Sequence, residues 1–332
     1  MKARLREYCS APATPSLGHQ SGSNWEESLV KSSLQPASVI LCASLALGAC
    51  SAPSGTLSRE PATGALGHAR SWMLPEAIRS KILYVSYFYG NDVFAYKYPN
   101  GEAVGMVTGI PEAQGLCTSK ESGGNWWVVA TGSNEVMEFA HGGTTPILTI
   151  NTVNDQPGSC AVDPTTGNLA VTMVTENKVI VYKSGSIDGI PYVTPFGPFF
   201  AGYDVRGNLY IDGSGNMIGR LRPGATSFDS ITPNQGFVFP GGVQWHSGLL
   251  AIGDQDTSNV YEYKIRGTTG TLENTTPLNG GGAGGFWIQG QQIVAGDAGN
   301  IGIWEYPAGG SPVQTIPGGF YGAIDTTVSL PR

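Results

Sequence analysis

A glycine that opens an apolar run recurs at Gly124 (GNWWVV), Gly167 (GNLAVT), Gly207 (GNLYID), Gly248 (GLLAIG) and Gly290 (GQQIVA), at gaps of 43, 40, 41 and 42 residues. Glycine before a strand marks a tight turn, because it reaches positive φ without steric cost. A second marker keeps step with it, an apolar residue followed three positions later by an aromatic or leucine. It reads Val93/Tyr96, Val136/Phe139, Val179/Tyr182, Ile218/Leu221, Val260/Tyr263 and Ile303/Tyr306. Six copies of one supersecondary unit constrain the fold more than any other feature of the chain.

Each unit parses into four short strands; in the second they are NWWVVAT (125–131), EVMEFAH (135–141), TPILTIN (145–151) and GSCAVDP (158–164). Four strands in about 40–45 residues is the period of a β-propeller blade. Blades stack face to face, which accounts for continuous apolar strands such as WWVV and VIVY. With 48 glycines, 22 prolines and only 13% charged residues, the composition suits short strands and tight turns and argues against helical bundles. At the first unit the turn position holds Lys81 instead of glycine, and the chain ends with an unmatched YGAIDTT (321–327). That segment matches GSCAVDP and AGYDVRG, with Asp325 set against Asp163 and Asp204. The expected fold is therefore all-β, a six-bladed propeller of four-stranded blades in which the C-terminal strand closes the first blade from inside.

The pattern of P-x-G, inner strand, Gly-Asn and apolar strand over Lys81 to Arg332 resembles the NHL and SMP-30-like six-bladed propellers. WMLPEA (72–77) leading into ILYVS (82–86) also resembles uncharacterised secreted bacterial propeller lipoproteins. SMP-30-like lactonases hold a divalent metal at the channel mouth with carboxylates and an asparagine. The matching positions here are Gln114, Gln156, Gly202, Gly242, Gly284 and Tyr321, which lack the carboxylate oxygens a hard cation requires. NHL-type amidating lyases place histidines on zinc. This chain has only His19, His68, His141 and His246, without ligand spacing.

The front of the chain differs in character. Ser38 to Ala49 (SVILCASLALGA) is an apolar run too short for a membrane span, preceded by Lys31 and followed by Cys50. That is the layout of a secretory signal, and Leu47-Gly48-Ala49-Cys50 resembles a bacterial lipobox, with Cys50 the lipidated residue. The expected organisation is an over-extended or disordered segment at 1–29, a lipoprotein signal at 30–49, a flexible tether at 50–80 and the propeller at 81–332. The protein is then exported and lipid-anchored in the bacterial cell envelope.

Other motifs carry little chemistry. GGGAGG (280–285) contains a formal GxGxxG but joins two strands, so it reads as an inter-blade loop and not as a phosphate cradle. GDQDTSN (253–259) places Asp254 and Asp256 at the start of a calcium-loop pattern, but Asn259 and Ile265 replace its later glycine and glutamate. Asp212, Asp254 and Asp297 all end second strands, which suggests turn capping. Cys117 and Cys160 lie 43 residues apart, one repeat, and as equivalent side chains pointing the same way they are expected to be buried free thiols.

A net charge of −7 with no basic cluster excludes nucleic acid as a partner, and no cofactor is expected. The loops joining second to third strands, and fourth to the next first strand, share one end of the ring. They hold Tyr87, Phe88, Tyr89, Phe199, Phe200, Phe237, Phe239, Phe320 and Tyr321. Aromatics in loops at one end point to a monomeric binding or scaffold propeller that recognises a protein, peptide or glycan. The alternative is a lactonase-like hydrolase or lyase with an atypical site.

Overall fold

The computed structural model describes residues 70–331 apart from 119–123, 154, 216, 298, 320 and 321. The expected signal, Cys50 and most of the tether lie outside these residues. A short strand β1 (Trp72–Met73) and a 3-10 turn (Pro75–Arg79) precede β2 (Ile82–Tyr87), β3 (Asp92–Lys97) and β4 (Glu102–Thr108). Then follow β5 (Ala113–Thr118), β6 (Trp126–Ala130), β7 (Glu135–Phe139) and β8 (Pro146–Asn151), and β9 (Pro157–Val162), β10 (Leu169–Met173), β11 (Lys178–Tyr182) and β12 (Gly189–Val193). The next unit is β13 (Pro198–Tyr203), β14 (Leu209–Gly213), β15 (Ile218–Leu221) and β16 (Asp229–Pro233). After it come β17 (Pro240–His246), β18 (Leu249–Asp254), β19 (Asn259–Arg266) and β20 (Thr269–Pro277). The chain ends with β21 (Phe286–Gln289), β22 (Gln292–Asp297), β23 (Asn300–Glu305), β24 (Gln314–Ile316) and β25 (Ala323–Ser329).

These strands form six antiparallel blades whose inner strands touch in the ring order β5, β9, β13, β17, β21, β25 and back to β5. β25 pairs with β2 from Ile82↔Ser329 to Tyr87↔Ala323, so the C-terminal strand is the innermost strand of blade 1. The hairpin glycines have positive φ, 73° at Gly167 and 77° at Gly207, as their spacing predicts. Blades 4 and 5 also join at their outer edges through a parallel pairing of β16 with β20.

The boundary at residue 81 moves. Residues 72–79, which the sequence assigns to the tether, are folded, and β1 adds a fifth strand outside β4 with Trp72 opposite Met106. The apolar pair Trp72-Met73 lets the segment cover an otherwise open sheet edge. The core lies between blades. At the first seam Tyr84, Trp126 and Phe139 stack in series, with ring centroids 4.1 and 4.5 Å apart.

Hydroxyls on the second strands fasten one blade to the next. The Ser86 hydroxyl accepts the Asp325 N–H at 3.0 Å and donates to the Gln114 carbonyl of blade 2 at 2.6 Å. At the same level of blade 3 the Thr172 hydroxyl accepts the Ser159 N–H and donates to the Phe199 carbonyl of blade 4, both at 2.9 Å. The glycine-rich loop serves the seam between blades 5 and 6. The Gly242 N–H donates to the Gly284 carbonyl, and a Cβ on Gly241 or Gly253 would collide with the Ala283 carbonyl.

Two sequence expectations are corrected by register. Cys117 and Cys160 form a disulfide, with Cα atoms 5.7 Å apart. Thr118 pairs with Trp126, eight positions on, whereas Val162 pairs with Leu169, seven positions on. The first hairpin of blade 2 is thus one residue longer, and Cys160 is level with Leu116, not with Cys117. Because side chains alternate along a strand, a slip of one reverses the facing. Cys117 therefore points towards blade 3 and Cys160 back towards blade 2, in one shared core cluster. Asp325 likewise is not the counterpart of Asp163 and Asp204. Those two follow their strands and cap hairpins, Asp163 accepting the Thr165 N–H and Asp204 those of Arg206 and Asn208. Asp325 lies inside β25, level with Ser159 and Phe200.

Candidate binding face and channel

The inner strands enclose a channel cavity of about 100 Å3. Its lining comes from the middle and later parts of the inner strands, with Phe200, Tyr203, Trp245, Trp287, Asp325 and the disulfide, and from Pro164 and Val205 in first-to-second-strand turns. It thus extends towards that end of the ring, and Phe200 lines it from the level of Asp325. Small-molecule sites usually need some 300 Å3 or more, so this cavity is too small for an organic ligand of ordinary size.

Asp325 is the buried carboxylate of the channel. Its Oδ2 accepts the Leu116 N–H at 2.9 Å, and its Oδ1 accepts its neighbour's Thr326 N–H at 2.8 Å. Burial pushes its carboxyl up to about 7, against the opposing pull of these two hydrogen bonds. The Asp212 carboxyl is raised too, chiefly by burial, while its Oδ1 accepts the Phe200 N–H at 2.9 Å. Both residues act on inner strands, so Asp212 caps the neighbouring strand and not its own turn.

Asp254 is fully buried and accepts the Val238, Phe239 and Asp256 N–H groups at 2.9, 3.0 and 3.2 Å. Its oxygens thus fix the loop entering blade 5, and Asp256 is exposed beside it. The registers also move the positions expected to match a lactonase cage. Gln114 is level with Gly158, Phe199, Gly241, Gly284 and Ile324, none of them a carboxylate. The nearby Asp155 is paired with Lys178 at 2.8 Å. His141 lies within hydrogen-bonding distance of the Ser329 hydroxyl and the Ser80 carbonyl, at 2.7 and 3.0 Å, and the ring of His246 stands edge-on to Tyr306. Each holds a seam together.

The predicted aromatic face divides in two. Phe200 and Phe237 are buried in the core between blades 4 and 5. Phe199 and Phe239 are half-buried beside that core, with centroids 6.4 Å apart. On blade 1, Tyr87 packs against Phe94 and Phe88 stands edge-on to Tyr89 at 5.4 Å. Tyr89 is 54% exposed. Phe320 and Tyr321 lie outside the described residues. Sequence reasoning passed over two exposed valines on the same loops, Val153 at 70% and Val238 at 63%, because isolated valines carry no motif.

No family model and no curated protein matches this sequence. Among solved structures the chain is similar to one in the crystal structure of the nidogen/laminin complex, with a TM-score of 0.63, 15% identity, and coverage of 76% of this chain and 100% of that one. It is also similar to a functionally unknown protein from Desulfotomaculum acetoxidans DSM 771, with a TM-score of 0.53 and 12% identity over 76% of this chain and 100% of that one. A streptogramin B lyase structure matches at a TM-score of 0.49 and 15% identity, over 68% of this chain and 71% of that one. At such identities likeness speaks to architecture alone. By its own strand pairing, and by its likeness to the first two of these structures, the chain is a β-propeller.

Proposed function

We propose that this protein is a binding or scaffold propeller of the bacterial cell envelope, anchored through a lipid on Cys50 and recognising a protein, peptide or glycan partner. The NHL-like repeat pattern and the lipobox-like tetrad support this reading from the sequence. The observation that carries it is the set of apolar side chains left in solvent on one end of the ring. Tyr89, Val153 and Val238 project from loops of that end, over half-buried Phe88, Phe199 and Phe239. Exposed apolar surface on a well-packed domain marks interaction sites more often than chance. Tyrosine supplies contact area at low entropic cost. The similar nidogen/laminin structure is that of a protein complex, in keeping with a propeller used for protein binding.

The test pairs two variants in cells. Cys50→Ser should abolish palmitate labelling and membrane retention. Tyr89→Ala combined with Val238→Ser should lose partners that the parent captures from envelope extracts, with the melting temperature unchanged. Retention of every partner by the double variant would overturn the binding face. Turnover by the purified parent in a lactonase and esterase screen would favour the hydrolase alternative.

A further inference from the structure

At the other end of the ring, blades 6 and 1 leave a groove of about 640 Å3 between them. We propose that this groove binds a neutral saccharide. It is built where the ring closes, from the two blades' matching turns. Tyr98 N–H donates to the Lys81 carbonyl in blade 1, and Tyr306 N–H donates to the Gln291 carbonyl in blade 6, at 2.8 and 2.9 Å. The lining then brings together three primary amides, Gln289, Gln291 and Gln292, with the two tyrosines.

Chemistry and orientation both point to a polyhydroxylated ligand. The Gln292 Oε1 accepts the Tyr98 hydroxyl at 2.8 Å, and the Gln289 Oε1 accepts the Trp287 indole N–H at 3.2 Å. Each amide oxygen is held by a buried aromatic, so its NH2 group remains for the groove in a fixed direction. Prepaid orientation of donors is what a weakly interacting hydroxyl ligand needs, since each hydrogen bond formed in water returns little net affinity. Gln291 adds an exposed amide able to donate and accept.

Charge selects within that class. Lys81 and Glu305 are the charged residues of the lining and cancel, so neither an anionic nor a cationic ligand gains from the field. Pro99 and Ala308, both exposed, provide apolar surface for the C–H faces of a sugar ring, over the buried rings of Tyr98 and Tyr306. The volume falls inside the range of about 300–1,000 Å3 typical of ligand sites. A peptide would look for an open strand edge or apolar side-chain pockets, and the lining offers neither. The site does not depend on the aromatic face, which occupies the opposite end.

The experiment is saturation-transfer NMR of the purified propeller with cellobiose, maltose and N,N′-diacetylchitobiose, followed by a glycan array that includes charged oligosaccharides. At least one neutral saccharide should bind, and Gln289→Ala with Gln292→Ala should weaken it roughly tenfold. Tyr98→Phe, which frees the Gln292 amide without removing it, should weaken it less, by about threefold. Tyr89→Ala should leave it unchanged, which separates this site from the aromatic face. The proposal is overturned if no neutral saccharide binds, if only charged glycans do, or if the double glutamine variant keeps the parent affinity while folded.

Discussion

Asp325 Oδ2 accepts the backbone N–H of Leu116 at 2.9 Å, across 209 residues of sequence. The bond spans the seam between blades 1 and 2, and on the other side the Gly285 N–H of blade 6 donates to the Ile324 carbonyl at 2.8 Å. The last strand therefore holds both ends of the ring at once. Deleting residues 320–332 should strip β2 of its inner partner and leave the Leu116 and Gly285 N–H groups unsatisfied. The truncated protein is expected to lose the single cooperative melting transition of the parent in circular dichroism. Identical melting curves would show that β25 does not close the ring.

The same carboxyl makes stability depend on pH. Asp325 is raised to about 7 by burial, so it holds its proton more tightly folded than unfolded. Its contribution is fully present below the unfolded value of about 4 and is lost as pH rises through about 7. The whole effect is of the order of 4 kcal/mol at most. Urea unfolding at pH 5, 6.5 and 8 should show stability falling with pH. Asp325→Asn should flatten the profile at some cost at pH 5, because the amide can accept only one of the two N–H groups. A parent profile that is level between pH 5 and 8 would sink the assignment.

Architecture was legible because it rests on local chemistry repeated many times. Positive φ at Gly167, Gly207, Gly248 and Gly290 demands glycine, and that demand shows in the sequence as a period. Facing was not legible, because it depends on the parity of hairpin length. One extra residue between Thr118 and Trp126 turned Cys117 to meet Cys160, and no periodic marker reports it. Of the aromatics expected in loops, Phe88, Tyr89, Phe237 and Phe239 lie in them, whereas Tyr87 ends β2 and Phe199 and Phe200 lie in β13. Which rings plug a seam, as Phe237 does, depends on packing between distant units. The saccharide groove was invisible for a further reason. It joins residues 81–99 to residues 289–308, which become neighbours only when the ring has closed.

The disulfide should be a measurable part of the stability of the seam it crosses. It closes a separation of 43 residues, for which constraint of the unfolded chain is worth roughly 2–4 kcal/mol. Peptide mapping of unreduced protein should recover the Cys117–Cys160 pair. Cys117→Ser with Cys160→Ser should lower the melting temperature while leaving the secondary structure intact. Quantitative alkylation of both thiols in denatured, unreduced protein would refute the bond.

Asp212 offers the sharpest test of how blades are latched. It occupies the level of Ser86 and Thr172, whose hydroxyls each accept an inner-strand N–H and donate to a carbonyl of the next blade. Asp212 accepts the equivalent N–H, from Phe200, through Oδ1, while its buried Oδ2 has no partner. A carboxylate cannot donate, but a carboxylic acid can, and burial raises this carboxyl well above its ordinary range. The protonated form thus reproduces the accept-and-donate chemistry of the two hydroxyls. Asp212→Asn should then match the parent at pH 5, where both carry a neutral donor, and exceed it at pH 8, where the parent pays to keep or lose its proton. Asp212→Ala should cost about 1–3 kcal/mol at both, since the Phe200 N–H is left buried without an acceptor. Chemical denaturation of the three proteins at the two pH values decides the matter. If Asp212→Asn is as damaging as Asp212→Ala at pH 8, the carboxyl is charged in the folded ring and the latch works by another route.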